Sequence, residues 1–292
     1  MRQYRAQERS ARHRLRCAAG AARTPARRRR RRGVAAASSP ADLVARSTIV
    51  MLSLPSGKEV ASLCDGAGGD GAGCDGASGL VALSRPGQMV VDFGTSPVAL
   101  ARDLAQRFAG KGVAFADAPV ARTRQAAQQG TLSIMVGADA ASFARIAPVL
   151  RCCASDISHC GEVGAGQFVK IMNNMILFQT GVALAEALAL ARRNDIDAAR
   201  LFDTLSKGSA DSFALRNHGM KAMLPGIFPE QAFSAAYALK DIGYALELAG
   251  AAGLELPGAT LARDLLCRTI ASGQGEAYWP ALATVVAGGD AE

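Results

Sequence analysis

The chain has 292 residues, 33 of them Lys or Arg and 25 Asp or Glu, for a formal charge of +8 at neutral pH. That length allows two domains with a core each, and a hydrophobic share of 50% suits a folded globular chain rather than a disordered one. The first 32 residues hold 13 arginines against one acid, Glu8, a net +12, so the remaining 260 sum to −4 and give no reason to expect nucleic acid as a partner.

Residues 1–32 show neither strand alternation nor a helical stripe, and Arg27 to Arg32 is an unbroken block of like charge. Such a segment cannot bury enough surface to offset chain entropy, so disorder is expected. It has no apolar stretch of secretory type. Scarce acids would suit a mitochondrial presequence, but serine is scarce as well. Order is expected from about Gly33, with a helix opening at Ser39-Pro40, Ser39 as cap and Pro40 in the first turn. Thr48 to Leu54 is a short apolar run stopped by Pro55, as in a strand buried in a parallel sheet. A helix over 57–64, a strand from Gln88 to Phe93, an amphipathic helix from Pro97 to Gly110 and a strand from Val113 to Ala116 follow. Strands alternating with helices indicate βαβ units. From Gly166 the pattern is helical throughout, with segments at 166–192, 197–206, 231–251, 258–272 and 277–286. The expected fold is α/β: an incomplete Rossmann-type parallel sheet over 33–163, followed by an all-helical C-terminal domain over 164–292. Charges interrupt the apolar runs short of the roughly 20 residues a membrane span needs, so no membrane is expected.

Seven cysteines, at 17, 64, 74, 152, 153, 160 and 267, form no CxxC pair. In a chain this large they read as reduced thiols of a cytoplasmic protein. His13, His159 and His218 are scattered, which argues against a histidine metal site. His159 and the Cys152–Cys153 pair read as structural bystanders. Gly66 to Gly71 matches GxGxxG literally, and Gly71 to Gly76 matches it again. The fingerprint needs a strand before it and a helix after it. Here a helix precedes and more Gly and Ser follow, so the segment reads as a duplicated low-complexity loop.

The run Gly164-Ala165-Gly166-Gln167-Phe168-Val169-Lys170-Ile171-Met172-Asn173-Asn174 carries the chemistry. Lys170 and Asn174 are four apart on a helix and share a face one turn apart. A lysine on the apolar side of a helix loses hydration, which lowers its pKa and suits it to proton exchange. Periodicity alone favours a snorkelling surface lysine; the Gly-x-Gly before it and the paired Asn after it weigh the other way.

From Gly33 the chain resembles the β-hydroxyacid dehydrogenases, the 3-hydroxyisobutyrate dehydrogenase-like family. The likeness is carried by Met51-Leu52-Ser53-Leu54-Pro55, by Val90 to Thr95, by Asp117-Ala118-Pro119-Val120 with Gly130 to Gly137, by Gly164 to Asn174, and by Leu239-Lys240-Asp241. No single run decides it, but five in the family's order are specific. The resemblance implies an NAD or NADP cofactor and reversible hydride transfer to a small 3-hydroxyacid or its aldehyde. By the same likeness Lys170 transfers the proton, Asn174 binds substrate, and Leu54, Pro55, Thr95 and Lys240 line the cofactor. It also implies a homo-oligomer.

Two departures stand out. After Asp-Ala-Pro-Val the family has Ser-Gly-Gly, where this chain has Ala121-Arg122-Thr123. That is similar to the Arg-Thr pair of sulfolactaldehyde reductases, and an arginine fork beside a hydroxyl suits an anionic substrate. Arg122 and Thr123 are therefore expected to bind substrate. Second, the family opens with a strand, a GxGxMG turn, a helix and a second strand, which would lie between an edge strand at 34–37 and the strand at 48–54. Nothing in residues 1–32 matches them. Either the start is misassigned, as an out-of-frame Arg/Ala-rich reading suggests, or the chain is a truncated homologue; cores rarely lose central strands, which favours the first. The alternative function is a catalytically dead homologue whose basic tail binds nucleic acid or an acidic partner.

Overall fold

Four helices of the first half start where a side chain, that of Ser39, Ser56, Thr123 or Asp139, satisfies free N–H groups. In a computed structural model, describing residues 35–66, 79–230 and 232–288, helix α1 (Pro40–Arg46) is capped by the Ser39 hydroxyl, which accepts from the Asp42 N–H at 3.1 Å. Strand β1 (Ile49–Leu52) leads to α2 (Gly57–Asp65), capped by Ser56, and then to a short α3 (Leu80–Leu83). Next come β2 (Met89–Asp92), α4 (Val98–Ala109), β3 (Ala114–Asp117) and β4 (Val120–Ala121). Helix α5 (Arg124–Gln129), β5 (Leu132–Gly137), α6 (Ala140–Leu150) and β6 (Ala154–Gly161) complete the α/β part. The glycine-rich segment read as a loop falls, from residue 67 on, outside the described residues, as do the arginine-rich residues 1–32.

The sheet has six strands. β1, β2 and β3 are parallel and in register, with Val50 beside Val90 and Val90 beside Phe115. Beyond β3 the expected parallel sheet becomes a mixed one. The chain runs from β3 through Ala118-Pro119 into β4, and β5 returns antiparallel to both, with Asp117 opposite Gly137 and Ala121 opposite Ser133. The short α5 connection permits that reversal, whereas parallel neighbours need a longer crossover. β6 then pairs parallel with β5. No strand forms at Ala35–Ala37, and among the described residues β1 pairs with β2 alone.

Both faces of the central strands are buried, which is why they read as continuous apolar runs. Val90 and Phe115 join Leu104 and Phe108 on one face, while Met89, Val91 and Ala116 join Ile146 and Leu150 on the other. Phe108 stacks on Phe115 with centroids 5.7 Å apart. Each such side chain contributes about 1.5–3 kcal/mol on burial.

The chain divides into two compact units, ending at Lys170 and starting at Ile171. Helix α7 (Ala165–Arg193) crosses that point, whereas the sequence placed the boundary at 163/164. The second unit continues with α8 (Ala198–Leu205), a π-helix at Leu215–Met223, α9 (Ala235–Ala251) and α10 (Pro257–Thr269). A π-turn at Ile270–Gln274, a 3-10 turn at Trp279–Ala281 and α11 (Leu282–Val286) close it. Among its described residues there is no strand. Trp279 is the centre of its core, meeting the Phe178 ring edge-on at 5.3 Å. Gly181 allows this, because a Cβ there would run into the indole. By length and composition α7 is apolar enough to cross a membrane, but Phe178, Val182, Ala185 and Leu188 on it belong to this core.

Candidate active site

Loops at the carboxyl ends of parallel strands are where α/β sheets bind ligands. β1 ends in Leu54 and Pro55, half-buried and exposed, and β2 ends in Gly94 and the buried Thr95. The two loops touch: a Cβ on Gly94 would stand 3.1 Å from the Leu54 carbonyl oxygen. Three of the residues expected to line a cofactor are thus neighbours.

The β2 loop is held by Asp92, only 1% exposed. Its carboxylate accepts from the Gly94 N–H and from the Ser96 hydroxyl, both at 2.8 Å. Gln167, in the first turn of α7, reaches the same loop: its amide oxygen accepts from the Ser96 N–H at 3.0 Å, and its amide nitrogen donates to the Gly94 carbonyl at 2.9 Å. Asp117, at the end of β3 and fully buried, accepts from the Gly164 N–H at 2.7 Å and the Gln167 N–H at 2.6 Å. Burial pushes its carboxyl up, while these N–H groups pull it down. Neither Asp92, Asp117 nor Gln167 was singled out from the sequence; the signal was present only as carboxylates at strand ends facing a Gly-x-Gly.

Lys170 follows one turn later and is 8% exposed. The ordinary reading, a solvated surface lysine, is thereby set aside. Asn174, another turn on and 1% exposed, donates from its amide to the Asp241 carboxylate at 2.6 Å and accepts from the Asn173 amide at 3.0 Å. Asp241 also meets the Lys240 ammonium at 3.0 Å, which lies 4.0 Å from the centroid of the Tyr237 ring. Asp241 was quoted in the sequence only as the neighbour of Lys240, yet it joins the two expected site residues of the helical unit.

Arg122 and Thr123 stand elsewhere. A Cβ on Gly166 would lie 2.8 Å from the Gly137 nitrogen and 2.5 Å from the Met135 carbonyl, so α7 begins over the Gly137 end of β5. Arg122 follows Ala121, which pairs with Ser133, four residues back along β5, or about 13 Å of strand. Its backbone is left-handed, with φ 81°, the conformation glycine occupies at no cost. The guanidinium donates to Asp156 at 2.6 Å and to Ser155 and the Thr131 carbonyl at 2.7 Å each. The Thr123 hydroxyl caps α5, accepting from the Ala126 N–H at 3.4 Å. His159 donates from Nε2 to the Ala138 carbonyl at 2.7 Å and stacks on Phe143, 4.5 Å between centroids, which is a packing role.

With this geometry in place, comparison with known proteins decides the family. Residues 164–285 match the family model of the NAD-binding domain of NADP-dependent 3-hydroxyisobutyrate dehydrogenase. Residues 17–161 match that of the NAD-binding domain of 6-phosphogluconate dehydrogenase, a match that begins ahead of Gly33. The 3-hydroxyisobutyrate dehydrogenase of Pseudomonas aeruginosa is 36% identical over 225 residues, 74% of this chain and 71% of that protein. The chain belongs to the 3-hydroxyisobutyrate dehydrogenase-like β-hydroxyacid dehydrogenase family. A further relative is the 2-(hydroxymethyl)glutarate dehydrogenase of Eubacterium barkeri, 32% identical over 76% of this chain and 70% of that protein. The solved structure of the Mycobacterium tuberculosis 3-hydroxyisobutyrate dehydrogenase with L-serine superimposes with a TM-score of 0.75 at 29% identity, covering 87% of this chain and 84% of that one. Members of this β-hydroxyacid dehydrogenase family are NAD(P)-dependent oxidoreductases, and its cofactor is NAD or NADP. The touching β1 and β2 loops, with Gly94 leaving room against Leu54, fit the strand-end part of a dinucleotide site. A strand–GxGxMG–helix unit for the pyrophosphate is not among the described residues.

Proposed function

We propose that the chain interconverts a small anionic 3-hydroxyacid and its aldehyde, with Lys170 as the proton-transfer residue. One observation carries the reading: a lysine only 8% exposed stands one helical turn from a buried asparagine whose amide is oriented by Asp241. An amine removed from water in this way suits proton exchange with a substrate oxygen. When bound, a nicotinamide cofactor would supply the hydride in reduction and accept it in oxidation. Lys170 Nζ gives its proton to the carbonyl oxygen in the first direction and takes the hydroxyl proton in the second. Asn174 holds the substrate beside it. The candidates for holding the cofactor are Leu54, Pro55 and Thr95 at the strand ends of the first unit and Lys240 in the helical unit. Arg122 and Thr123 remain the candidates for anion recognition, Arg122 by exchanging the Asp156 carboxylate for that of the substrate.

Lys170→Ala tests this directly. With 3-hydroxyisobutyrate and NAD or NADP, kcat should fall by about 10²–10⁴-fold with little change in cofactor KM; retained turnover would overturn the assignment. Absence of nicotinamide fluorescence quenching, together with salt-sensitive DNA binding lost on deleting residues 1–32, would instead support the non-catalytic alternative. Self-association is proposed as well: Phe168, Ile176 and Leu190 of α7 are 48%, 60% and 64% exposed, and at about 100° per residue they share one side of the helix. A cytoplasmic setting accords with the free thiols of Cys64, Cys152, Cys153, Cys160 and Cys267.

A further inference from the structure

We infer that the Asp117 carboxylate, with Gln167 beside it, is the positioning device that sets the depth and register at which the helix carrying Lys170 leaves the sheet. The inference rests on the proposed reading of Lys170. A helix start leaves its first N–H groups without partners, and here a fully buried carboxylate takes two of them, from Gly164 and Gln167. Asp117 is fixed in turn by β3, in register with β2. The fit leaves no slack: a Cβ on Gly137 would run into Asp117, and one on Gly166 would stand 2.8 Å from its Oδ2. Glycine at both positions lets the helix start sit directly on the sheet around one carboxylate.

Gln167 supplies the second tie. Through Ser96 N–H, the Gly94 carbonyl and, at 3.4 Å, Asp92 it clamps α7 to the loop that carries Thr95. The proposed proton-transfer residue and the loop that carries Thr95 are therefore registered against each other by side chains that are themselves fully buried. Lys170 lies three residues beyond Gln167, and the α-helical backbone transmits the setting. Since a misplacement of about 1 Å can cost about 10²-fold in rate, a buried two-point seat is a means of holding that amine in place.

Asp117→Asn keeps the volume but removes one acceptor, leaving a backbone N–H at the helix start without a partner. Two measurements on the full chain separate the possibilities. The first follows acetylation of Lys170 by acetic anhydride relative to Lys207, whose side chain is 69% exposed, by peptide mass spectrometry from about pH 7 to 10; it needs no turnover. The second takes kcat and cofactor KM with 3-hydroxyisobutyrate. Expected are labelling of Lys170 about fivefold faster or more, from opening of the first turn, and a kcat lower by about tenfold or more, with cofactor KM within about twofold. Unchanged Lys170 labelling in folded Asp117→Asn overturns the inference, whatever the activity. Faster labelling in Asp117→Asn, where the unaltered chain itself shows no turnover, upholds the positioning and removes the reading of the reaction. Should Asp117→Asn fail to fold, Gln167→Met, of similar volume but without the amide ties, carries the same expectations.

Discussion

The start of α7 and the corner between β4 and α5 were both expected to hold site residues, and they are built in opposite ways. At the first, every buried group named has its partner: Asp92, Asp117 and Gln167 interlock, and Lys170 follows from a rigid seat. At the second, a side chain with 37% exposure stands on left-handed backbone and is held by a salt bridge near the surface. The first is matched where burial makes mismatch expensive; the second carries strain where solvent makes adjustment easy. Geometry that must not move suits ground of the former kind, and a preference that varies within a fold suits the latter.

The largest test of that contrast extends the matched region one turn along α7. Asp241 is 1% exposed and holds both the Asn174 amide and the Lys240 ammonium. Removing it in Asp241→Ala leaves a buried amide without its acceptor and a cation without its counter-charge. Destabilisation of about 3 kcal/mol is expected in urea unfolding, together with a rise in substrate KM. A loss below about 0.5 kcal/mol would show that the pairing is incidental.

His218 sharpens the contrast from the other side, because it is a buried group incompletely matched. Its Nδ1 meets the Tyr278 hydroxyl at 2.5 Å, but its Nε2 has no hydrogen-bond partner. Burial, with the Lys221 charge adding to it, lowers its pKa from 6.5 to about 4. The unfolded chain therefore binds a proton that the folded one refuses between those values, and stability falls as pH drops through that window. Between about pH 7.5 and 4.5 the wild type should lose about 2–3 kcal/mol that His218→Gln does not lose. Parallel curves for the two proteins would remove His218 from the account.

What the sequence disclosed, and what it hid, follows the same division. Ser39-Pro40 announced α1, and TIVML, MVVD and AFAD announced parallel strands, because local pattern and fold agree there. Lys170 and Asn174 were singled out by the Gly-x-Gly before them, the paired Asn and the family resemblance, since their spacing alone favoured a surface lysine. β5, β6 and the turn into an antiparallel register were not anticipated: β6 reads ASDISHCG, with little apolar content and a single buried position, Ala154. Asp117 was visible only as part of a motif; its work depends on Gly164 and Gln167, some fifty residues away, a pairing no local pattern encodes. The π-helix at Leu215–Met223 likewise rests on tertiary packing, with Gly219 leaving room for Phe202.

Arg122 gives the smallest expected effect and the most direct test of how strain and recognition are related. Its φ of 81° costs a non-glycine residue about 1–2 kcal/mol, against which the exposed pair with Asp156 returns about 0.2–1 kcal/mol. Arg122→Gly should therefore leave stability unchanged or raise it by up to about 1 kcal/mol in urea unfolding. If the arginine is kept for the substrate's negative charge, the same variant should raise KM for anionic aldehydes about tenfold while leaving neutral aldehydes within about twofold, since a charged hydrogen bond is worth about 1.5–3 kcal/mol. Equal KM changes for both classes would remove Arg122 from recognition, and a net loss of stability would show that its ties to Asp156, Ser155 and the Thr131 carbonyl outweigh the strained backbone.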